Sequence, residues 1–298
     1  TELKDFKNPH WLVISKSGST LETTSVLDYL IQEGAISNFK SSVTIVTDDS
    51  KNVLADWAKA QQVEHLSFPN QLGGRFSVFS EVGLITAVFS GLSADSIQRG
   101  ILAAKNSKSL VECISSELLR ATIQNEPINY VWSYCEKLQV FSFWLQQLWA
   151  ESLGKIPNVP FPVPLAGPRD QHSVLQQIMN TKSDRTHWFI TSADLVSLGQ
   201  PLKNVPTSGG NFTKGRRLGD ILQAELLGTK NAISEQGQKT NSFILESLSP
   251  EALSYSMMIW MQAIVVTAKA LGINAFDQPG VEQAKLNAKA LLRNLTLA

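Results

Sequence analysis

Apolar runs of strand length alternate with stretches of helical period, and they do so twice along the chain. Residues 10–15 (HWLVIS) form the first run. Leu21, Val26, Leu27, Leu30 and Ile31 then fall near helical spacing, and Gly34 closes that stretch. Residues 42–47 (SVTIVT) predict a second strand, Asp48, Asp49 and Ser50 a turn and cap, then a helix to residue 60 and a short strand over 63–67. A helix over 81–92 is apolar on most sides, which predicts burial, and helix continues to about residue 122. Near Pro127 the alternation restarts: strand 130–134, helix 136–153, a loop with Pro157, Pro160, Pro162, Pro164 and Pro168, helix 170–179 and strand 187–191. Ser208, Gly209 and Gly210 predict a turn within a loop. Helix 218–236, strand 242–246, helix 250–270 and a last helix 279–293 complete the chain. Such alternation joins parallel strands by helical crossovers. It predicts an α/β fold of two doubly wound parallel-sheet units.

The length of 298 residues suits one large or two ordinary domains and allows a substantial core. Lys+Arg and Asp+Glu are both 26, so no net charge draws the whole surface to nucleic acid or an anionic membrane. Any anion site is therefore local. Cys113 and Cys135 have no metal-ligand spacing and no signal peptide precedes them, which predicts two buried thiols in a cytoplasmic protein and no metal. The most apolar stretch, residues 257–268, contains Gln262 and is too short to span a bilayer, so it predicts a core helix. The chain begins at Thr1 rather than Met, and part of the gene product is expected to be absent.

The first strand runs into ISKSGSTLET, residues 14–23, where hydroxyls crowd around one lysine and one glycine. A strand, a tight turn of small residues and then a helix is the geometry of an anion site: backbone N–H groups point outward and the helix dipole favours negative charge. Ser15, Ser17, Ser19 and Thr20 add donors, and Gly18 lets the turn close. The turn lies at the carboxyl end of a strand, where open α/β sheets bind ligands. Lys16 precedes Gly18, the reverse of a nucleotide P-loop, so the expected ligand is a phosphate without a purine. Taken alone, the cluster reads more readily as an ordinary Ser/Thr-rich helix cap.

The rest of the chain decides between these. With SKSGSTLET, five further segments in order resemble glucose-6-phosphate isomerase: GGRFSVFSEVG at 73–83, QLWAESLGK at 147–155, GPRDQHS at 167–173, AELLGTKNA at 224–232 and FDQPGVEQAK at 276–285. The resemblance spans nearly the whole chain. It implies two sugar-isomerase (SIS-type) αβα units, the first over residues 1–107 and cut short at its start, the second over 108–275, and a C-terminal helix over 276–298 that contributes to the active site. It implies an aldose–ketose isomerase that interconverts glucose 6-phosphate and fructose 6-phosphate, needs no cofactor, and works as a homodimer. A second reading is a sugar-phosphate-binding regulatory module, or an inactive fragment, on the same fold.

The resemblance also assigns residues. Glu151 lies four residues after Gln147 and four before Lys155, on one helix face, and by spacing alone is an exposed Glu–Lys pair. The resemblance makes Glu151 the base that moves a proton between C2 and C1, and Gln147 an amide that positions substrate. His172 by itself is one histidine of four; His10, His65 and His187 sit at or near strands and read as structural. The resemblance implies that His172 assists ring opening and comes from the neighbouring subunit. Arg75 follows two glycines, which predicts a turn with a close backbone approach, and alone reads as a surface charge. The resemblance implies that it stabilises the enediolate. Lys285 alone is a solvated lysine, and Ala284 stands where the family carries glycine; the resemblance makes Lys285 a partner in ring opening, with Gln278 near the phosphate or sugar. Glu22 suits a helix first turn, and the family motif also places it at the site. The basic run 214–217 reads as a solvated loop.

One departure stands out. The family carries an earlier G-I-G-G-S segment whose serine also holds the phosphate, and no such segment occurs here. The expectation is that early strands of the first sheet are missing and that these residues alone turn over poorly or not at all.

Overall fold

A computed structural model describes residues 9–68, 72–181, 184–204 and 210–295. The chain divides into two compact units, Thr1–Ala94 and Asp95–Ala298.

The first unit holds a parallel sheet in the order β1-β2-β3, built from β1 (Trp11–Ile14), β2 (Val43–Asp48) and β3 (Glu64–Phe68). Helices α1 (Leu21–Gln32), α2 (Phe39–Ser42), α3 (Val53–Gln61) and α4 (Glu81–Phe89) connect and follow them. The central strand β2 is buried along its whole length, as a parallel strand covered on both faces must be. Its Val43 and Ile45 pack with Val13 of β1, Leu27 and Leu30 of α1 and Leu54 and Ala58 of α3. The cap of α3 is Asn52, whose Oδ1 accepts from Ala55 N at 2.9 Å, rather than the predicted Asp48–Ser50 segment. The burial expected for residues 81–92 is not met: no residue of α4 is buried, and Val88 and Phe89 are exposed. The 3₁₀ turn at 74–79 and β3 cover α4 only in part, leaving Val82, Leu84, Ile85 and Ala87 half-buried.

The second unit opens with α5 (Ala94–Ala104), which packs on a later helix rather than closing a first domain at residue 107. Next come α6 (Lys108–Ile123), β4 (Ile128–Ser133), α7 (Gln139–Leu153), β5 (Phe161–Ala166), α8 (Gly167–Asp170), α9 (Leu175–Asn180), β6 (Thr186–Ser192), α10 (Gly210–Thr213), α11 (Leu218–Glu235), β7 (Lys239–Leu245), α12 (Pro250–Ala270) and α13 (Glu282–Asn294). Ser254 Oγ of α12 donates to the Ile97 carbonyl of α5 at 3.0 Å. The sheet is parallel, in the order β5-β4-β6-β7. One face carries Trp132, Tyr134 and Phe189 against Ile178 of α9 and Leu226 and Ile233 of α11. The other places Trp188 edge-on to Trp260 of α12, 5.2 Å between centroids. Helices on both faces make the unit doubly wound. The segment around 257–268 is a core helix, as its composition predicts, with Ile259, Trp260, Met261 and Ile264 buried. Among the described residues no helix is long and apolar enough to cross a membrane. Cys135 is buried but Cys113 is exposed, and both are free.

Three sequence expectations in this unit change. The proline loop contains β5. Pro162 and Pro164 are two apart, so both ring nitrogens face the open edge, while Phe161 N reaches the Pro127 carbonyl at 3.0 Å. An edge strand tolerates proline for this reason, and Gln146 Nε2 covers the outward carbonyl of Pro162 at 3.0 Å. The helix expected over 170–179 is two, α8 and α9, because Asp170 turns its carboxylate back to the Ala166 N–H at 2.7 Å and residues 171–174 form a turn. Of the turn expected at 208–210, residues 208 and 209 lie outside the described residues, and Gly210 opens α10.

Candidate active site

Two groups of predicted residues have defined geometry, one in each unit. In the first, the turn from β1 to α1 brings Ser15, Ser17, Ser19 and Thr20 together. Ser15 Oγ donates to Thr20 Oγ1 at 2.8 Å, Ser19 Oγ donates to Ser17 Oγ at 3.3 Å, and Ser17 Oγ lies 3.4 Å from Thr20 Oγ1. Thr20 is the N-cap of α1, yet no side chain caps the helix, so the first-turn N–H groups that a cap side chain would satisfy remain available to an anion.

The next βα turn braces this one. Asp48 N and Thr47 Oγ1 both donate to the Lys16 carbonyl at 3.1 Å, and Leu54 N donates to the Gly18 carbonyl at 3.1 Å. Gly18 has φ +56°, and a Cβ there would stand 1.7 Å from Asn52 Oδ1. Glycine is required twice over, by the backbone and by its neighbour. Asn52 also donates to the Ser50 carbonyl at 2.8 Å. Sequence reading missed this brace; the only local hint was an Asn two residues beyond a Ser, ahead of a helical period. Lys16 is partly buried and Glu22 sits exposed in the first turn of α1.

Arg75 lies in a 3₁₀ turn, Gly74–Phe79, and is 1% exposed, which excludes the surface-charge reading. Its guanidinium carbon is 5.4 Å from the centre of the Phe76 ring. A Cβ at Gly74 would meet nothing within 4 Å, so the predicted close backbone approach does not occur there.

In the second unit Gln147 and Glu151 are one turn apart on α7, and Gln147 Nε2 donates to Glu151 Oε1 at 3.2 Å. Glu151 lines a cleft of about 430 Å³ with Ala150, Gly154, Lys155, Gln278 and Gly280. The fold thus brings Gln278, remote in sequence, into one cleft with Glu151. Lys155, by spacing a partner of Glu151, extends to Asp277 Oδ1 at 2.6 Å.

His172 sits elsewhere, exposed on the turn between α8 and α9. This turn is firmly held. Arg169 grips the Asp170 carboxylate at 2.7 and 2.9 Å. These bonds, helped by the Ala166 N–H and opposed by burial, hold the Asp170 carboxyl below the usual carboxylate range. Tyr134 Oη bonds to Gln171 Oε1 at 2.9 Å and Thr229 Oγ1 at 2.8 Å, and burial pushes its phenol up to about 12. A Cβ at Gly167 would press on the Tyr134 ring at 2.4 Å. His172 is not among the residues lining the Glu151 cleft. Lys285 is also apart: on α13 it pairs with Glu282 Oε1 at 2.8 Å, one turn back, and both are exposed. Among the described residues no three His, Cys, Asp or Glu side chains gather as a metal site would require.

Of the other histidines, His10 Nε2 lies 2.9 Å from Thr44 Oγ1. His187 is fully buried: its Nδ1 accepts from Trp132 Nε1 at 3.0 Å and its Nε2–H faces Gln238 Oε1 at 2.8 Å. Both are held by hydrogen bonds to neighbouring side chains.

No family model matches the sequence. The chain is 31% identical over 290 residues to a glucose-6-phosphate isomerase of Rubrobacter xylanophilus, covering 92% of this chain and 66% of the relative. It is 30% identical over 292 residues to a glucose-6-phosphate isomerase of Thermus thermophilus, covering 92% and 69%. In three dimensions it resembles the crystal structure of a hypothetical protein from Thermus thermophilus, with a TM-score of 0.86 at 27% identity, over 97% of this chain and 73% of that one. The chain spans about two thirds of the length of the curated relatives it matches.

Proposed function

The chain belongs to the glucose-6-phosphate isomerase family, and we propose that it interconverts glucose 6-phosphate and fructose 6-phosphate through an enediolate. The observation that carries this reading is the cleft in which Glu151, bonded to Gln147, shares a wall with Gln278.

The phosphate is the remote handle. Ser15, Lys16, Ser17, Ser19 and Thr20 hold it at the mouth of α1, with Glu22 beside them. A phosphate held in this way fixes the rest of the substrate and removes much of the entropy cost of its encounter with a catalytic group. His172, supplied by the second copy of a cytoplasmic homodimer, and Lys285, released from Glu282, open the sugar ring by moving a proton from the C1 hydroxyl to the ring oxygen. Glu151 then takes the C2 proton, and the electron pair moves through C1 to make the enediolate. Arg75 stabilises the charge that develops on oxygen. Glu151 returns the proton to C1 as the O2 proton passes to O1, leaving a ketone at C2. Gln147 fixes the carboxylate's orientation, and Gln278 lies near the phosphate or the sugar.

A coupled assay for fructose 6-phosphate conversion, free of host isomerase, tests this. Conversion at whatever rate the chain supports is expected to vanish in Glu151→Gln, while glucose 6-phosphate still protects that variant against heat. No conversion by the unaltered chain, or conversion unchanged in Glu151→Gln, would overturn the reading.

A further inference from the structure

We propose that Lys155 is a positioning residue whose ammonium ties the segment carrying Gln278 to the end of the helix carrying Glu151, and so sets the geometry of the cleft between them. Its kinetic consequences rest on the isomerase reading above; the tether itself does not.

The chain makes the tether in three steps. α7 ends one residue before Gly154, whose N–H bonds back to the Ala150 carbonyl at 3.0 Å, and the Lys155 N–H follows to the Leu153 carbonyl at 2.7 Å. Lys155 therefore leaves the helix at a fixed place, one turn beyond Glu151. Its side chain is only 14% exposed, which is unusual for lysine. A charge withdrawn from water to that degree needs partners. The partners are the Asp277 carboxylate at 2.6 Å and the main-chain carbonyl of Asn274.

Asn274 and Asp277 belong to a small pre-folded turn. Asn274 Oδ1 accepts from Phe276 N at 3.0 Å, and its Nδ2 donates to Asp277 Oδ2 at 3.2 Å. Ala275 anchors the same segment by burial. Gln278 is the very next residue, at φ −156° and ψ 67°, and Pro279 after it disfavours the helical region for its backbone. From Lys155 to Gln278 there is thus little slack: ammonium to carboxylate, one peptide bond, then a proline-limited residue. Lys155, Glu151 and Gln278 all line the one cleft.

The half-exposed Asp277 keeps the pair from being a large source of stability. The expected signature is local loosening of residues 274–281 and loss of substrate alignment with little effect on the fold.

The test uses the full chain and four variants: Lys155→Met, Lys155→Arg, Asp277→Asn and the Lys155→Met/Asp277→Asn double. Hydrogen exchange is followed by mass over residues 274–281 and over 139–150 of α7, together with fructose 6-phosphate kinetics. Lys155→Met is expected to speed exchange at 274–281 by about tenfold or more and leave α7 unchanged. It is also expected to raise KM by about tenfold or more, since misplacement of about 1 Å carries penalties of that order. Asp277→Asn moves both readouts the same way, the double variant is no worse than Lys155→Met because the two act as one unit, and Lys155→Arg recovers part of the loss. Unchanged exchange at 274–281 in Lys155→Met would overturn the tether. So would a kinetic loss in Lys155→Met with none in Asp277→Asn, which would make Lys155 a group that touches substrate. If Lys155→Met loosens α7 as well, Asp277→Asn alone decides. If the unaltered chain shows no conversion, the isomerase reading fails while exchange still decides the tether.

Discussion

The turn after β1 and the turn after β5 occupy matching places: each leaves an edge strand of a parallel sheet and leads into a helix. The turn after β5 is filled by its own anion. Asp170 folds back onto the Ala166 N–H and is gripped by Arg169, so the charge an incoming anion would supply is already there. The turn after β1 carries hydroxyls that bond to one another and a helix start that no side chain caps. Such bonds exchange for a ligand's at small net cost, because one partner replaces another. A strand-end turn is therefore not an anion site by position alone; the side chains decide whether it is occupied from within.

The two units should first part company in acid. Burial lowers the His187 pKa from its ordinary 6.5 to about 4. Above pH 6.5 the histidine is neutral in both folded and unfolded chains and stability is full. As pH falls from 6.5 toward 4 the unfolded chain takes up the proton first. The second unit then loses up to about 3 kcal/mol. Urea denaturation at pH 7 and pH 4 measures the loss, and His187→Gln should flatten it. A slope that survives in that variant would assign the acid sensitivity to other groups.

Gly18→Ala comes next, and it strikes the hydroxyl turn. A left-handed backbone costs an alanine about 1–2 kcal/mol, and displacing Asn52 forfeits a cap worth about 1 kcal/mol, so the expected loss is about 2–3 kcal/mol. Asn52→Ala in the same chain removes the collision, and the double variant should lose less than the sum of the two. Strict additivity would mean that Gly18 and Asn52 do not collide.

Asp170→Ala reverses the comparison by emptying the occupied turn. It leaves the Ala166 N–H and Arg169 without their acceptor, at a cost of about 1–3 kcal/mol, and inorganic phosphate should recover part of that loss in a thermal melt. No loss would show that the carboxylate does not fill the turn.

The smallest effect on the fold, and the most specific on binding, is expected from Ser15→Ala. Stability should change by about 1 kcal/mol or less, while glucose 6-phosphate affinity falls by about tenfold, the value of one hydrogen bond to a charged group. Glucose should protect either protein against heat less than glucose 6-phosphate does. Equal protection by the two would remove the phosphate from this turn.

What sequence could and could not reveal follows the same division. The alternation of strands and helices was legible because apolar period is a local property, and Gly18 was legible because a tight strand-to-helix turn needs it. β5 was hidden by Pro162 and Pro164: the rule that proline breaks strands is suspended at an edge, and only the sheet order reveals the edge. Residues 81–92 misled in the opposite sense, since apolar composition reports what a helix could bury and not what is there to cover it. Arg75 could not be known to be buried from two preceding glycines. The Lys155–Asp277 contact was out of reach because its two ends lie in separate motifs, QLWAESLGK and FDQPGVEQAK, and the helix spacing offered a nearer partner in Glu151.

The most direct measurement of the central claim is proton exchange in fructose 6-phosphate incubated in D2O with the unaltered chain and with Glu151→Gln, alongside calorimetric binding of the same ligand. The hydroxyl turn after β1 lies in the first unit and Glu151 in the second, so under the proposed roles this variant separates holding from chemistry. The account predicts that the unaltered chain places deuterium at C2 of the glucose 6-phosphate it forms, and that Glu151→Gln places none while binding the ligand with near-unchanged affinity. Deuterium incorporation that persists in Glu151→Gln would contradict it.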